Sequence, residues 1–537
     1  MCPPDTFLGK PAINTSRLPI DSDYHSGYSG ALPETFNRCT TNRKGFPQLS
    51  KNGTTLNQQT TTALLLTEHF RCPDTYIDLA VGRDLSAKSG YFRFGADAIC
   101  FGQCSSAAPA HSVAGALYDC WKDVRCEGGR AYLPFDPVQV IDNLRYERYK
   151  SALSVERKEI DASSLVRSLY YSVRPLMPIS VRKHLQRLYF RSWEEIPFPK
   201  WPVDFTTERI FDRLLLLSMK ARNVRRLPFI WFWPEGAPSC AMMTHDVETS
   251  AGRDFCAQLM DINDSFGIKS AFQVIPEKRY TVPQSLLDAI PARGFELNVH
   301  DLNHDGHLMR SRGEFMRRAV RINQHGKEFK ASGFRSAMLH RNLEWYDALD
   351  FSYDMSVPNV AHLDPQRGGC CTVFPFFNGK LLELPVTMTQ DYSLFHILHD
   401  YSLDRWKQQV ALIMENHGLM NFIVHPDYIL EAREREMYEA LLDYLRTLKQ
   451  HDGVWVALPG EVDRWWRERS KMRLVEDGAG WRIEGHGRER ARIAYAQEED
   501  GRLVFRLADE NVKEPLLPPS NSETPEMCVE HVPDSVV

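Results

Sequence analysis

The sequence predicts an α/β fold built on a parallel sheet, either a layer or a barrel. Three observations lead there. Strand-like runs alternate with helical stretches from Asp204 to about Trp466, the pattern of strand–helix–strand crossover units. The acid- and histidine-bearing clusters of that stretch each follow a short apolar run. They therefore fall at strand C-terminal ends, where α/β folds gather functional groups. Finally, 537 residues with 43% hydrophobic and 25% charged side chains are ordinary for a soluble globular protein. At roughly 150 residues per domain that length suits three to four domains.

Charge and composition exclude several classes. Acidic residues outnumber basic ones, 70 against 65, giving a net charge of −5. That balance is wrong for a globally basic nucleic-acid binder, so no nucleic acid is expected as a partner. No apolar run approaches the roughly 18 residues needed to cross a bilayer. The opening Met1-Cys2-Pro3-Pro4-Asp5 has neither a basic n-region nor an apolar h-region, so no signal peptide is expected. Twelve cysteines are scattered without paired CxxC spacing, which reads as free or buried thiols in a reducing cytoplasm.

Element by element, residues 1–67 read as a polar, disordered tail. Residues 68–150 read as a small strand-rich domain. Its strands are Tyr76-Ile77-Asp78-Leu79-Ala80-Val81, Tyr91-Phe92-Arg93-Phe94-Gly95 and Ala98-Ile99-Cys100-Phe101-Gly102, followed by a helix that Pro137 opens. Residues 151–203 are a basic connector. Over 160–200, Arg167, Arg174, Arg182, Lys183, Arg187 and Arg191 interleave with apolar residues. The first reading is helices docked on the next domain, and the second is peripheral contact with anionic lipid. Residues 204–469 carry the alternating pattern. Helices are expected over 255–265, 284–292 and 428–450, and strands over 239–243 and 270–274. Residues 470–507 read as a small β-appendage with Asp477-Gly478 and Asp500-Gly501 turns. Residues 508–537, with five prolines, read as a second disordered tail.

The chemistry lies between Thr244 and His425. Thr244-His245-Asp246-Val247-Glu248 puts two carboxylates at i, i+2 after an apolar strand; one could bind a metal while the other takes a proton. In Glu296-Leu297-Asn298-Val299-His300-Asp301-Leu302-Asn303-His304 the two histidines are four apart. That spacing predicts one face of a helical turn, with both imidazoles converging on one ion. Imidazole suits zinc, iron, cobalt or nickel. His307 is a third ligand or a bystander. Arg335, in Gly333-Phe334-Arg335-Ser336-Ala337, could hold a carboxylate through a bidentate contact. Asp354 ends a second acid-bearing strand, and His425 ends Asn421-Phe422-Ile423-Val424-His425, where Pro426 stops the strand.

Taken in this order, the set resembles the polysaccharide deacetylase family, also called NodB-homology or carbohydrate esterase family 4. Residues 244–248 look like a D-x-D/E variant of its T-F-D-D-G motif. Residues 296–304 match its E-L-x-x-H-x-x-x-H form, Arg335 partly matches R-x-P, and residues 422–425 match a strand ending in L-x-H. The resemblance covers roughly 236–465. It implies an irregular (β/α) barrel with a groove at the strand C-termini. It also implies a divalent metal held by Glu248, His300 and His304, with zinc favoured over cobalt, nickel or iron. Asp246 would be the general base, steadied by Arg335. His425 would be the general acid, with Asp354 as the acidic partner that tunes it. Two departures stand out. Val247 occupies the place of the usual second acid, so the metal carboxylate must come from Glu248. Ala337 replaces the proline of the third motif.

The resemblance thus implies a metal-dependent hydrolase removing an acyl group, such as acetyl, from an amino sugar or glycan precursor, in the cytoplasm. The alternatives are a hydrolase of a non-sugar C–N bond, as in a cyclic imide or ureide, and a non-catalytic glycan-binding chain.

Overall fold

The computed structural model describes residues 58–508, apart from 83, 106–108, 151–189, 191–192 and 479. The expected tails, up to 57 and from 509, and nearly all of the basic connector lie outside the described residues. Where the description begins, the chain is already helical. Helix α1 spans Gln58–Phe70, and Leu66 and Phe70 are fully buried. The tail expected to reach residue 67 therefore ends sooner, because Ala63-Leu64-Leu65-Leu66 gives this segment an apolar stripe to bury.

The strand-rich reading of 68–150 appears as β1 (Leu79–Val81), β2 (Gly90–Arg93), β3 (Ile99–Gly102), β4 (Arg125–Glu127) and β5 (Arg130–Leu133). They form a three-stranded sheet, β1-β5-β4, and a β2–β3 hairpin. Helix α2 (Pro137–Arg145) starts at Pro137. The Asp136 carboxylate accepts from the amides of Val138 and Gln139, which satisfies two of the helix's unpaired donors.

Helix α3 (Thr206–Ala221) and strand β6 (Arg226–Ile230) lead into the main sheet. Its elements, in chain order, are β7 (Cys240–Val247), α4 (Ser250–Ser265), β8 (Ala271–Val274), α5 (Gln284–Ala292), β9 (Glu296–His300), α6 (Arg312–Phe329), β10 (Gly333–Arg335), β11 (Tyr353–Asp354), β12 (Phe376–Asn378), β13 (Leu381–Glu383), α7 (Asp404–Glu415), β14 (Leu419–Ile423), α8 (Ala432–His451), β15 (Trp455–Val456) and α9 (Pro459–Arg469). The nine strands run in the order β12-β13-β11-β10-β9-β8-β7-β14, with β15 also on β7. All pairs are parallel except β12–β13. Every residue of β7 is buried. A parallel strand covered on both faces has no solvent side, which is why Cys240-Ala241-Met242-Met243 reads as a continuous apolar run rather than an alternation.

The sheet curls into a half barrel. Among the described residues, side chains rather than backbone pairs seam its open side. The Thr387 hydroxyl donates to the Leu419 carbonyl at 2.6 Å and accepts from the Asn421 amide at 2.9 Å. The Asn421 side chain donates to the Leu384 carbonyl at 3.2 Å.

The C-terminal strands are β16 (Arg473–Glu476), β17 (Trp481–Glu484), β18 (Ile493–Glu499) and β19 (Arg502–Leu507). They are present as read, but β18 also pairs with β6 to make a β19-β18-β6 sheet. One continuous core runs from Phe70, Tyr91 and Phe135 through Phe232, Met242 and Phe374 to Met472 and Ala494. The nine cysteines among the described residues are free, and all but Cys126 are buried.

Candidate metal and acid–base site

Parallel pairing brings the predicted strand ends to one rim. Arg335 on β10 stands level with His300 on β9. Ile423 on β14 stands level with Thr244 on β7, so His425 and Asp246, each two residues further on, are level too. Thr244 and Asp246 share one side of β7. His245 points to the other, where its Nδ1 meets the Val424 carbonyl at 2.8 Å and its Nε2 lies 3.2 Å from the Tyr438 hydroxyl. His245 is thus a buried structural side chain.

The two metal-ligand histidines converge, but not on a helix as their spacing suggested. His300 ends strand β9, and His304 lies in the following loop. Asp301 and His304 both adopt left-handed backbone, with φ of 54° and 53°. That turn folds the loop back until the two rings lie 5.1 Å apart. Strand context overrode the local i, i+4 reading: β9 is clamped between β8 and β10, and the loop does the converging. His307 stays outside, largely exposed, 3.6 Å from Asp305.

Glu248, His300 and His304 each offer a ligand atom, and these atoms all lie within 4.8 Å of one another. The Nε2 atoms of His300 and His304 are buried without a hydrogen-bond partner. Glu248 Oε1 lies 2.8 Å from His304 Nε2, close but outside hydrogen-bonding geometry. On its other side the His300 ring meets the Arg335 carbonyl through Nδ1 at 3.1 Å. That contact fixes the tautomer and leaves Nε2 with its lone pair facing Glu248. Two inward imidazole nitrogens and one carboxylate fit a divalent ion such as zinc. The i+2 carboxylate needs no special strain, because the Asp427 carboxylate accepts from the Glu248 amide at 2.9 Å and from the Thr249 hydroxyl.

Asp246 receives Arg335 Nη1 at 2.7 Å. The same nitrogen donates to the Thr244 hydroxyl at 2.9 Å, and Nε donates to the Met355 carbonyl at 2.9 Å. Asp246 Oδ2 is 3.9 Å from His300 Nε2. Burial pushes the Asp246 carboxyl up, but Arg335, His300 and His425 outweigh it and hold it below its ordinary range. Glu248 is held well below its range in the same way: burial opposes the charge, and His304 first among the histidines outweighs burial.

His425 lies opposite, with Nε2 3.8 Å from Glu248 Oε1. Its expected partner was Asp354, and that assignment is corrected by the ladder: β10, β9, β8 and β7 stand between β11 and β14. Asp354 instead accepts from Ser356 through both its amide and its hydroxyl, at 2.9 and 2.7 Å. The partner is Asp391, whose carboxylate meets His425 Nδ1 at 2.6 Å and accepts from the His425 amide at 2.7 Å. Asp391 follows the segment that seams onto β14, in a stretch with no strand or motif signal to mark it. Burial works against a charged His425, yet Asp391, Glu248 and Asp246 push its pKa up to about 10.

A protonated imidazole is a proton donor only below its pKa. Asp391→Asn removes the main stabiliser of that proton, so the His425 pKa falls. The alkaline limb of the kcat/KM profile should then move toward neutral pH. A limb that stays in place in Asp391→Asn would show that His425 is not the acid.

No protein-family model and no curated protein matches the chain. Its structural neighbours are polysaccharide deacetylases, family 4 carbohydrate esterases and an allantoinase. One, a protein from Mycobacterium smegmatis assigned as a polysaccharide deacetylase, is 17% identical, with a TM-score of 0.36 over 44% of this chain and 93% of that one. Puue allantoinase is 11% identical, with a TM-score of 0.36 over 44% and 92%. A family 4 carbohydrate esterase from Streptomyces lividans is 13% identical, with a TM-score of 0.27 over 41% and 92%. At such values the chemistry rests on this chain's own side chains.

Proposed function

We propose that the chain is a metal-dependent hydrolase that removes an acyl group, such as acetyl, from the nitrogen of an amino sugar or glycan precursor. The observation that carries this reading is a buried trio, Glu248, His300 and His304, with two unpartnered imidazole nitrogens, flanked by an arginine-held aspartate and an aspartate-held histidine. A bound divalent ion supplies Lewis acidity and lowers the pKa of water at the site. Glu248, His300 and His304 would hold it.

The proton steps belong to the chain. Asp246, kept ionised by Arg335, takes the proton of the attacking water. Arg335 also keeps the receiving oxygen oriented, because its Nη1 is fixed by Thr244 as well. His425 gives its proton to the departing amine, and Asp391 balances its charge and keeps the donor nitrogen, Nε2, facing the site. An amide needs this second step, because an unprotonated amine is a poor leaving group. The low Asp246 pKa and the high His425 pKa point in opposite directions, as an acid–base pair requires.

Among the described residues, no helix is long and apolar enough to cross a membrane. Our reading places the reaction on a precursor in the cytoplasm. The test is acetate release from N-acetylated amino sugars and oligosaccharides by the purified protein, measured with and without added zinc. Asp246→Asn should reduce the rate by about 10²- to 10⁴-fold, the usual worth of a general base. Full activity in Asp246→Asn would remove this residue from the reaction. Activity on small cyclic imides without acetate release from glycans would replace the substrate class.

A further inference from the structure

Two carboxyl groups that the reaction above does not use lie side by side under the site. Asp354 ends β11, and Glu383 ends its parallel neighbour β13, in direct register. Both are fully buried. Like charges at such a distance, out of water, do not both ionise. The surrounding contacts show where the shared proton goes. Asp354 accepts from the amide and the hydroxyl of Ser356, which leaves it the carboxylate. Glu383 accepts from the Val357 amide at 3.1 Å and turns its proton to Asp354. Burial, with Asp354 beside it, pushes the Glu383 carboxyl well up, consistent with that direction.

The pair grips a turn that touches the catalytic arginine twice. The Ser356 hydroxyl has given its one hydrogen to Asp354, so its lone pair accepts from the Ser336 amide at 2.8 Å. One residue earlier, the Met355 carbonyl accepts Arg335 Nε at 2.9 Å. The backbone after Arg335 and the guanidinium of Arg335 are therefore both fixed to residues 355–356. Through Arg335 the connection ends at Asp246. We propose that Asp354 and Glu383 are positioning residues for the base: a hydrogen-bonded carboxyl pair that holds the 355–357 turn and so sets the Arg335–Asp246 contact. This rests on the reading of Asp246 as the base.

The test compares Asp354→Asn, Glu383→Gln, Glu383→Ala and Ser356→Ala for kcat and KM on an N-acetylated oligosaccharide, for bound metal, and by crystallography against the wild-type protein. Glu383→Gln keeps an N–H donor toward Asp354 and should retain most of kcat. Asp354→Asn, Glu383→Ala and Ser356→Ala should lower kcat by about ten- to a hundredfold, the scale of a small misplacement of a reacting group. KM and metal stoichiometry should hold. In the crystals the Arg335–Asp246 contact should lengthen in these three and persist in Glu383→Gln.

An intact contact with wild-type kcat in Asp354→Asn and Ser356→Ala overturns the proposal. So does Glu383→Gln behaving like Glu383→Ala, or loss of metal in place of the arginine shift. If the wild-type protein turns over no acylated substrate, the functional reading fails, while the crystallographic comparison still decides whether the pair positions Arg335.

Discussion

Replacing His300 and His304 together by alanine should abolish bound metal and lower kcat/KM by about 10³-fold or more, the scale of losing a main transition-state charge stabiliser. The expectation follows from what the two rings do in the protein. Their Nε2 atoms hold no hydrogen bond, so no fold contact is lost there when they go. The variant should therefore stay folded and be empty. Thermal unfolding separates the two effects. A ligand bound only to the native state stabilises it by about 2.7 kcal/mol at a hundred times its Kd. Adding zinc should raise the wild-type Tm, a chelator should reverse the rise, and the double variant should respond to neither. Stoichiometric zinc in the double variant, measured on the purified protein, would move the site elsewhere.

The parts of this site visible in the sequence were those carried by a strand end. Asp246, Arg335 and His425 each close an apolar run, and parallel register then places them on one rim without further information. His300 was legible for the same reason, although its pairing with His304 was read as helical when a left-handed turn at Asp301 does the work. Asp391 was not legible. It reaches His425 because the segment after β13 folds onto β14 through Thr387 and Asn421, and side-chain seams leave no periodic trace. Asp354 was assigned to His425 because it was the acid at a strand end, and only the strand order separates the two. The same limit applied to the C-terminal strands. Their alternation and turns were plain, but nothing local says that β18 takes β6 as a neighbour.

Breaking the ion pair between Glu147 and Arg341 should cost about 3–5 kcal/mol of stability, the usual effect of leaving one buried charge without its partner. The pair joins the segment after α2 to the loop that follows Arg335, and both side chains are almost wholly buried. Arg341 Nε donates to Glu147 Oε2 at 2.9 Å, and its Nη2 meets Oε1, so the contact is bidentate. Lys150 donates to Oε2 at 2.8 Å and the Gly369 amide to Oε1 at 2.7 Å. Glycine is required at that point: Gly369 has a φ of 148°, and a Cβ there would lie 2.1 Å from the Asn359 carbonyl oxygen.

Burial pushes the Glu147 carboxyl up, and Arg341 and Lys150 overcome it, leaving a pKa of about 2. Because the folded value is depressed, this contribution is fully present above the unfolded value of about 4.5. It is lost as pH falls from there toward 2. Glu147→Gln should therefore lower the urea midpoint at pH 7 and flatten the pH dependence of stability between about 4.5 and 2. Replacing both residues by methionine should recover much of the loss, because a buried pair exchanged for apolar side chains is often neutral. A single variant as stable as wild type would show that the strand-rich N-terminal segment rests on the barrel through its apolar core alone.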